Sequence, residues 1–150
     1  MTTRRTFTLK KFLPALIILG MIAVILPSCS AANNPSLHMM PLEKMPPDVQ
    51  AAPTRVHEAY QFSAANREVA ESVPCYCGCA DIGHTSSYDC YVDEAYEFGS
   101  VIFDEHALNC GICVDITQDV MRMMREGKST PQIVNYINDT YSKYGSPTVR

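Results

Sequence analysis

The chain has 150 residues, seven of them cysteines, and a formal net charge of −4 at pH 7. This length allows one small domain beside any targeting segment. The acidic balance excludes a nucleic-acid-binding function, because a negative surface repels the phosphate backbone.

The first 28 residues have the pattern of a secretory signal peptide. Four basic residues precede an apolar run over 12–26, and Pro27 and Ser28 lead directly to Cys29. A basic flank, an apolar stretch and a small residue before the cleavage point are typical of such signals. The cysteine at this place resembles the lipobox of bacterial lipoproteins, which implies a lipid on Cys29. We therefore predict a lipoprotein anchored at the extracytoplasmic face of a bacterial membrane.

An uncleaved membrane anchor is the alternative interpretation of this N-terminal segment. The apolar run is shorter than the roughly 20 residues that a spanning helix needs, and Pro14 interrupts it early. Under either interpretation the remaining chain lies outside the cytoplasm, where disulfides are permitted.

The charge of the chain after Cys29 is more negative than that of the whole. Removing residues 1–29 removes four basic residues and no acidic ones, which leaves 8 basic against 16 acidic residues and a net charge of −8. No Lys or Arg lies between Arg67 and Arg122, whereas eleven acidic residues do. We expect this region to attract cations.

Residues 29–54 are predicted to form a lipidated, disordered tether. They contain five prolines among Ala, Asn and Ser and have no periodic apolar pattern. Proline-rich spacers favour extended conformations and do not build a core. The folded domain is therefore expected over 55–146, a size at which a core alone gives marginal stability.

Three helices are predicted in this domain. The first runs from about residue 56 to residue 72 and ends before Pro74. The second begins near Asn109, which can cap it, and ends at Gly127. The third begins after Ser129, in a Ser-Thr-Pro-Gln sequence that forms a capping box, and ends near Gly145. The predicted fold is a mainly α-helical, small three-helix domain with a cysteine-rich loop region, in which 101–103 is a strand or a core segment.

Three cysteines at alternate positions open the loop region. In an extended chain alternate side chains point the same way, so Cys75, Cys77 and Cys79 present their sulfurs on one side. Gly78 lets the backbone curl so that the sulfurs converge. Alternate residues lie about 6.6 Å apart, at the outer limit for a disulfide. Convergence on a metal, or pairing with distant cysteines, avoids the strain of pairing within the triplet.

A second group of donors follows in the chain. Cys110 and Cys113 lie on one face at a helix start, where the positive end of the helix favours thiolates. Cys90 supplies a sixth sulfur and His84 a nitrogen donor. His106, four residues before Cys110, is within reach of the same site, but it is expected rather to cap a helix or to lie in the core.

Three interpretations of the cysteines remain open. The first is a site for a soft metal ion, Cu⁺ or Zn²⁺, used in metal capture or delivery to an exported metalloprotein. Its predicted ligands are the six cysteines and one histidine, namely Cys75, Cys77, Cys79, Cys90, Cys110, Cys113 and His84. The second is thiol–disulfide exchange with an exported thiol partner through Cys110 and Cys113. The third is a domain held by three disulfides without chemistry. No acid–base catalytic set stands out, so no catalytic residue is predicted.

The Pro-Cys-Tyr-Cys-Gly-Cys segment over 74–79 and the Cys-Gly-Ile-Cys segment over 110–113 carry a resemblance to a family. With the segments 81–84, 89–92 and 103–106, they resemble the bacterial lipoproteins named for their PCYCGC motif, over about residues 59–144. The resemblance implies export, anchoring and the extent of the domain, and it implies no established biochemical activity.

The segment 123–145 carries a weaker resemblance. It is similar to the helical hairpin of the CcmH-type thiol proteins of cytochrome c maturation, which also have a Cys-x-x-Cys pair before that hairpin. Here the pair lies at the helix start itself, and the additional cysteines are foreign to that family. The likeness implies a helical fold more than a role in haem maturation.

Overall fold

Residues 36–96 and 100–148 are described here from a computed structural model of the chain. The predicted signal peptide and Cys29 lie outside these residues. Within the described ranges, no helix combines the length and apolar character needed to cross a membrane.

The described part of the chain is mainly helical, as predicted, and contains a small two-stranded sheet. The α-helices are α1 (Pro47–Ala51), α2 (Thr54–Ala65), α3 (Arg67–Ser72), α4 (Gly111–Arg125) and α5 (Thr130–Tyr141). The strands are β1 (Val92–Ala95) and β2 (Val101–Phe103), and they pair antiparallel with Val92 opposite Phe103. Short 3₁₀ turns at Leu42–Lys44, Cys79–Ile82, Tyr88–Cys90, His106–Leu108 and Ser142–Tyr144 lie between or after these elements.

The α4–α5 hairpin forms at the predicted turn signals. Gly127 has a φ of 73°, the left-handed conformation that a glycine adopts without steric cost. The backbone N–H of Ser129 donates to Oε1 of Gln132 at 2.9 Å, which forms the capping box at the start of α5. Helix α4 begins at Gly111 and has Cys110 at its N-cap, so the prediction that Asn109 caps this helix is wrong.

The predicted helix over 56–72 is two helices in the structure. Asn66 has φ −129° and ψ 50° and separates α2 from α3. Its side-chain amide donates to the carbonyl oxygens of Phe62 and His38, each at 2.7 Å. An asparagine that bonds to the backbone in this way competes with the helical hydrogen bonds, and it also holds the preceding chain against α2.

Residues 36–54, which were predicted to belong to the tether, pack onto the domain. Met45 and Val49 are 3% and 1% exposed. The Met40 N–H donates to the Gln61 carbonyl at 2.9 Å, and the Gln61 side-chain amide donates to the Met40 carbonyl at 2.8 Å. Pro47 at the start of α1 is compatible with a helix, since the first turn leaves its N–H groups unbonded. The folded part thus begins before residue 55.

Two tyrosines connect the core to the cysteine region. The Tyr60 and Tyr91 rings pack edge to face with centroids 5.0 Å apart. The Tyr60 hydroxyl donates to the Asp104 carbonyl and the Tyr91 hydroxyl to the Cys113 carbonyl, both at 2.8 Å. Both side chains are fully buried, so their hydroxyls find protein partners in place of water. These hydrogen bonds hold the residue after β2 and the first turn of α4 against the core.

Candidate metal centre

The 75–79 segment curls as its glycine predicts. Gly78 has a φ of 86° and precedes the 3₁₀ turn that begins at Cys79. A residue in the left-handed conformation turns the chain back on itself at this point. Glycine adopts this conformation without the steric cost that a residue with a Cβ would incur. The three alternate sulfurs are therefore brought toward one another.

The end of the described chain also fixes this segment. The Cys75 N–H donates to Oγ1 of Thr148 at 2.8 Å, and the Thr148 N–H donates to the Cys75 carbonyl at 2.9 Å. A Cβ added to Gly145 would lie 3.0 Å from the Tyr76 carbonyl oxygen, so the chain passes close to the motif there as well. Residues 145–148 were not identified from the sequence as part of the site.

The sulfurs of the two cysteine segments meet in one place, as predicted. The Cys75 Sγ lies 3.4 Å from the Cys77 Sγ and 3.6 Å from the Cys113 Sγ. The Cys77 Sγ lies 3.5 Å from the Cys113 Sγ. Cys90 joins from its 3₁₀ turn, with its Sγ 3.6 Å from that of Cys79.

Two groups of four donor atoms can be distinguished in this cluster. We call Cys75, Cys77, Cys79 and Cys90 the inner group, and Cys77, His106, Cys110 and Cys113 the outer group. Within each group the donor atoms all lie within 4.8 Å of one another, and Cys77 belongs to both. The cluster could therefore hold a metal ion in either group.

The spacing of the sulfurs matches convergence on an ion. All six cysteines of the described chain are free. A disulfide has an S–S distance of about 2.05 Å, whereas tetrahedral zinc with Zn–S bonds of about 2.3 Å sets its sulfurs about 3.8 Å apart. The observed distances of 3.4–3.6 Å are close to the second value.

The two groups differ in their access to solvent. Cys75, Cys79 and Cys90 of the inner group are 0–2% exposed. In the outer group, Cys77, His106 and Cys110 are partly exposed. Beside Cys110 lies a cavity of about 250 Å³ that is lined by Arg55 and Val56 on one side and by 107–111 and Val114 on the other.

Hydrogen bonding among the thiols separates their pKa values. A hydrogen bond with Cys113 lowers the pKa of Cys75 to about 4, and a bond with the same thiol lowers the pKa of Cys77 well below its usual range. Hydrogen bonds with Cys75 raise the pKa of both Cys79 and Cys113, and one with Cys113 raises that of Cys90. Cys75 and Cys77 thus lose their protons first.

The expectation that the helix start favours thiolates at Cys110 and Cys113 is wrong. Burial raises the pKa of Cys110, and the hydrogen bond with Cys75 raises the pKa of Cys113. Desolvation and neighbouring thiolates disfavour the charged form here, and they outweigh the effect of the α4 N-terminus.

The two histidines differ in their position relative to the cysteines. Nε2 of His106 lies 3.4 Å from the Cys77 Sγ, and His106 belongs to the outer group. His84 belongs to neither group; its Nε2 lies 3.7 Å from a carboxylate oxygen of Asp104, and its ring packs against His106 with centroids 5.2 Å apart. In the sequence, the i, i+4 spacing of His106 and Cys110 was the signal that His106 could lie near the cysteines.

Carboxylates surround the cavity next to His84, in agreement with the predicted acidic field. This cavity of about 300 Å³ is lined by Asp89, Asp93 and Asp104 together with Ile82, Gly83, His84 and Val92. Asp89 is engaged by the Thr85 N–H and hydroxyl at 2.7 and 2.8 Å. The negative charge on this side favours the approach of a cation.

A family model described as "Protein of unknown function with PCYCGC motif" matches residues 18–150. No curated protein and no solved structure matches the chain.

Proposed function

The chain belongs to the family of proteins with a PCYCGC motif. We propose that its cysteine cluster binds a soft metal ion, Cu⁺ or Zn²⁺. The ion would be captured or delivered outside the cytoplasm by a protein anchored through a lipid on Cys29.

The convergence of seven soft or borderline donors within two adjoining groups carries this proposal. Thiolates select Cu⁺ and Zn²⁺ over the hard cations Mg²⁺ and Ca²⁺, which prefer oxygen ligands. The inner group has four sulfur donors, the outer group has three sulfurs and one imidazole, and neither group includes a carboxylate.

The burial of the thiols supports a bound cation for an electrostatic reason. Several thiolates in van der Waals contact repel one another, and a low-dielectric environment strengthens that repulsion. A metal ion compensates the charge and takes the place of the thiol protons. A cluster this dense is therefore better suited to metal binding than to the storage of free thiols.

The thiol–disulfide alternative has less support from the geometry. An exchange reaction needs an accessible thiolate that attacks a partner disulfide. Cys113 is fully buried, and the pKa values of Cys110 and Cys113 are both raised. The two cysteines also share their surroundings with five other donors.

The test is to purify the full chain in detergent from bacterial membranes, without oxygen or chelator, and to measure its metal content by elemental analysis and native mass spectrometry. We expect stoichiometric copper or zinc. Replacing Cys75 and Cys77 together by serine should abolish four-coordinate binding, because Cys77 belongs to both donor groups and Cys75 to the inner group. A reduced, folded chain that binds neither ion at micromolar concentrations would refute the proposal.

The anchor is tested separately with Cys29→Ser. This variant should lose incorporation of labelled fatty acid and partition away from membranes. Its metal content should equal that of the unmodified chain, since each donor group already contains four ligands from the described residues. Fatty-acid labelling that persists in Cys29→Ser would refute the proposed lipidation.

A further inference from the structure

We propose that the cluster is a two-ion centre in which the Cys77 thiolate bridges a retained ion in the inner group and an exchangeable ion in the outer group. This inference rests on the proposed metal-binding function and adds the number of ions, the bridging ligand and the site of exchange.

The number of donors leads to a shared ligand. Two separate four-coordinate ions need eight donors, whereas the two groups together contain seven, with Cys77 in both. A single ion would leave three of the donors without a metal. The arrangement is complete for two ions when one thiolate serves both.

The position of Cys77 fits a bridge. Its Sγ lies 3.4 Å from the Cys75 Sγ in the inner group, and 3.4 Å from Nε2 of His106 and 3.5 Å from the Cys113 Sγ in the outer group. Cys75 and Cys113, one from each group, are 3.6 Å apart. The groups thus adjoin along their Cys77 side, where two ions would share a sulfur.

Charge also favours two ions over one. Six thiolates with one Zn²⁺ keep a net charge of −4, and with two Zn²⁺ they keep −2. Uncompensated buried charge is costly. A second cation therefore stabilises the fully deprotonated cluster.

The difference in burial assigns the roles of the ions. The inner group has three fully buried ligands, so a competing ligand cannot reach its ion without opening the core. The outer group has three partly exposed ligands, and Cys110 faces the cavity between α2 and the start of α4. An incoming thiolate, thioether or imidazole from an acceptor can replace Cys110 there.

The experiment titrates the reduced full chain in detergent with Zn²⁺ and counts ions by native mass spectrometry, and uses Co²⁺ as a spectroscopic probe. We expect two ions at saturation and magnetic coupling between two Co²⁺ ions that share a thiolate. A chelator should remove one Zn²⁺ at least tenfold faster than the other. One ion at saturation, or two Co²⁺ ions without coupling, would overturn the two-ion centre but leave the proposed function intact, whereas no bound ion would overturn both.

His106→Gln identifies the exchangeable ion, and His84→Gln is its matched control. His84 packs against His106 but belongs to neither group. We expect His106→Gln to weaken the fast-exchanging ion at least tenfold and to leave the slow one unchanged, while His84→Gln retains both. Loss of the slow ion in His106→Gln, or equal weakening in the two variants, would contradict the assignment. The count and coupling in the unmodified chain test the centre even if a variant does not fold.

Discussion

From the hydrogen bonds between Thr148 and Cys75 we predict a measurable change in the stability of the folded domain when the Thr148 hydroxyl is removed. Thr148→Val keeps the shape of the side chain but removes the hydroxyl that accepts from the Cys75 N–H at 2.8 Å. Thr148 is 5% exposed and Cys75 is 0% exposed, so water does not replace the lost acceptor. An unsatisfied buried donor costs about 1–3 kcal/mol. At about 4 °C per kcal/mol for a domain of this size, the melting temperature should fall by about 4–12 °C.

The assay is chemical denaturation of the metal-free, reduced protein, which separates this effect from metal binding. Thr148→Ser is the matched control, because it retains the accepting oxygen and loses only a methyl group, worth about 0.8 kcal/mol. We expect the free energy of unfolding to fall more in Thr148→Val than in Thr148→Ser. Unchanged stability in Thr148→Val, or a greater loss in Thr148→Ser, would refute the role assigned to this hydroxyl.

Three further predictions concern the motif and its surroundings. Gly145→Ala should destabilise the domain by about 1 kcal/mol, the order of cost for overpacking, because the added Cβ would meet the Tyr76 carbonyl oxygen at 3.0 Å. Gly111→Ala is the control, since a Cβ there has open space around it, and it should not destabilise the domain. Equal denaturation midpoints for the two variants would contradict the steric argument. In metal-free protein at pH 6, iodoacetamide should label Cys77 before Cys90, because the pKa of Cys77 is lowered and that of Cys90 is raised. Peptide mass spectrometry measures the order of labelling, and a result in which Cys90 is labelled first would refute this prediction. Free Zn²⁺ at one hundred times its dissociation constant should raise the free energy of unfolding by about 2.7 kcal/mol per site, and a melting temperature that does not respond to Zn²⁺ would exclude a link between metal binding and folding.

Local signals predicted the parts of the molecule that depend on nearby residues. The alternation of Cys75, Cys77 and Cys79 around Gly78 predicted a convergent triplet, because side-chain direction in an extended chain depends on the backbone alone. The turn at Gly127 and the capping box at Ser129 predicted the helical hairpin, because both depend on residues within a few positions of each other. These features need no knowledge of distant contacts.

Other features depend on contacts that the sequence pattern does not contain. Asn66 ends α2 through hydrogen bonds that include the carbonyl of His38, 28 residues away. Val49 is buried in a proline-rich stretch because α1 packs on the domain, although periodicity alone marks that stretch as a spacer. The sequence favoured His84 over His106 as a ligand, whereas only His106 belongs to a donor group, because the approach of His106 to Cys77 is a contact between residues 29 positions apart.

The close contact of the Cys79 and Cys90 sulfurs has a consequence for the timing of maturation. At 3.6 Å they need little movement to form a covalent bond, and an oxidising compartment promotes that reaction. Such a bond would remove two of the four inner ligands. In a chain exported as proposed, metallation and oxidation would therefore compete for these thiols, and an ion that binds first would protect them from oxidation.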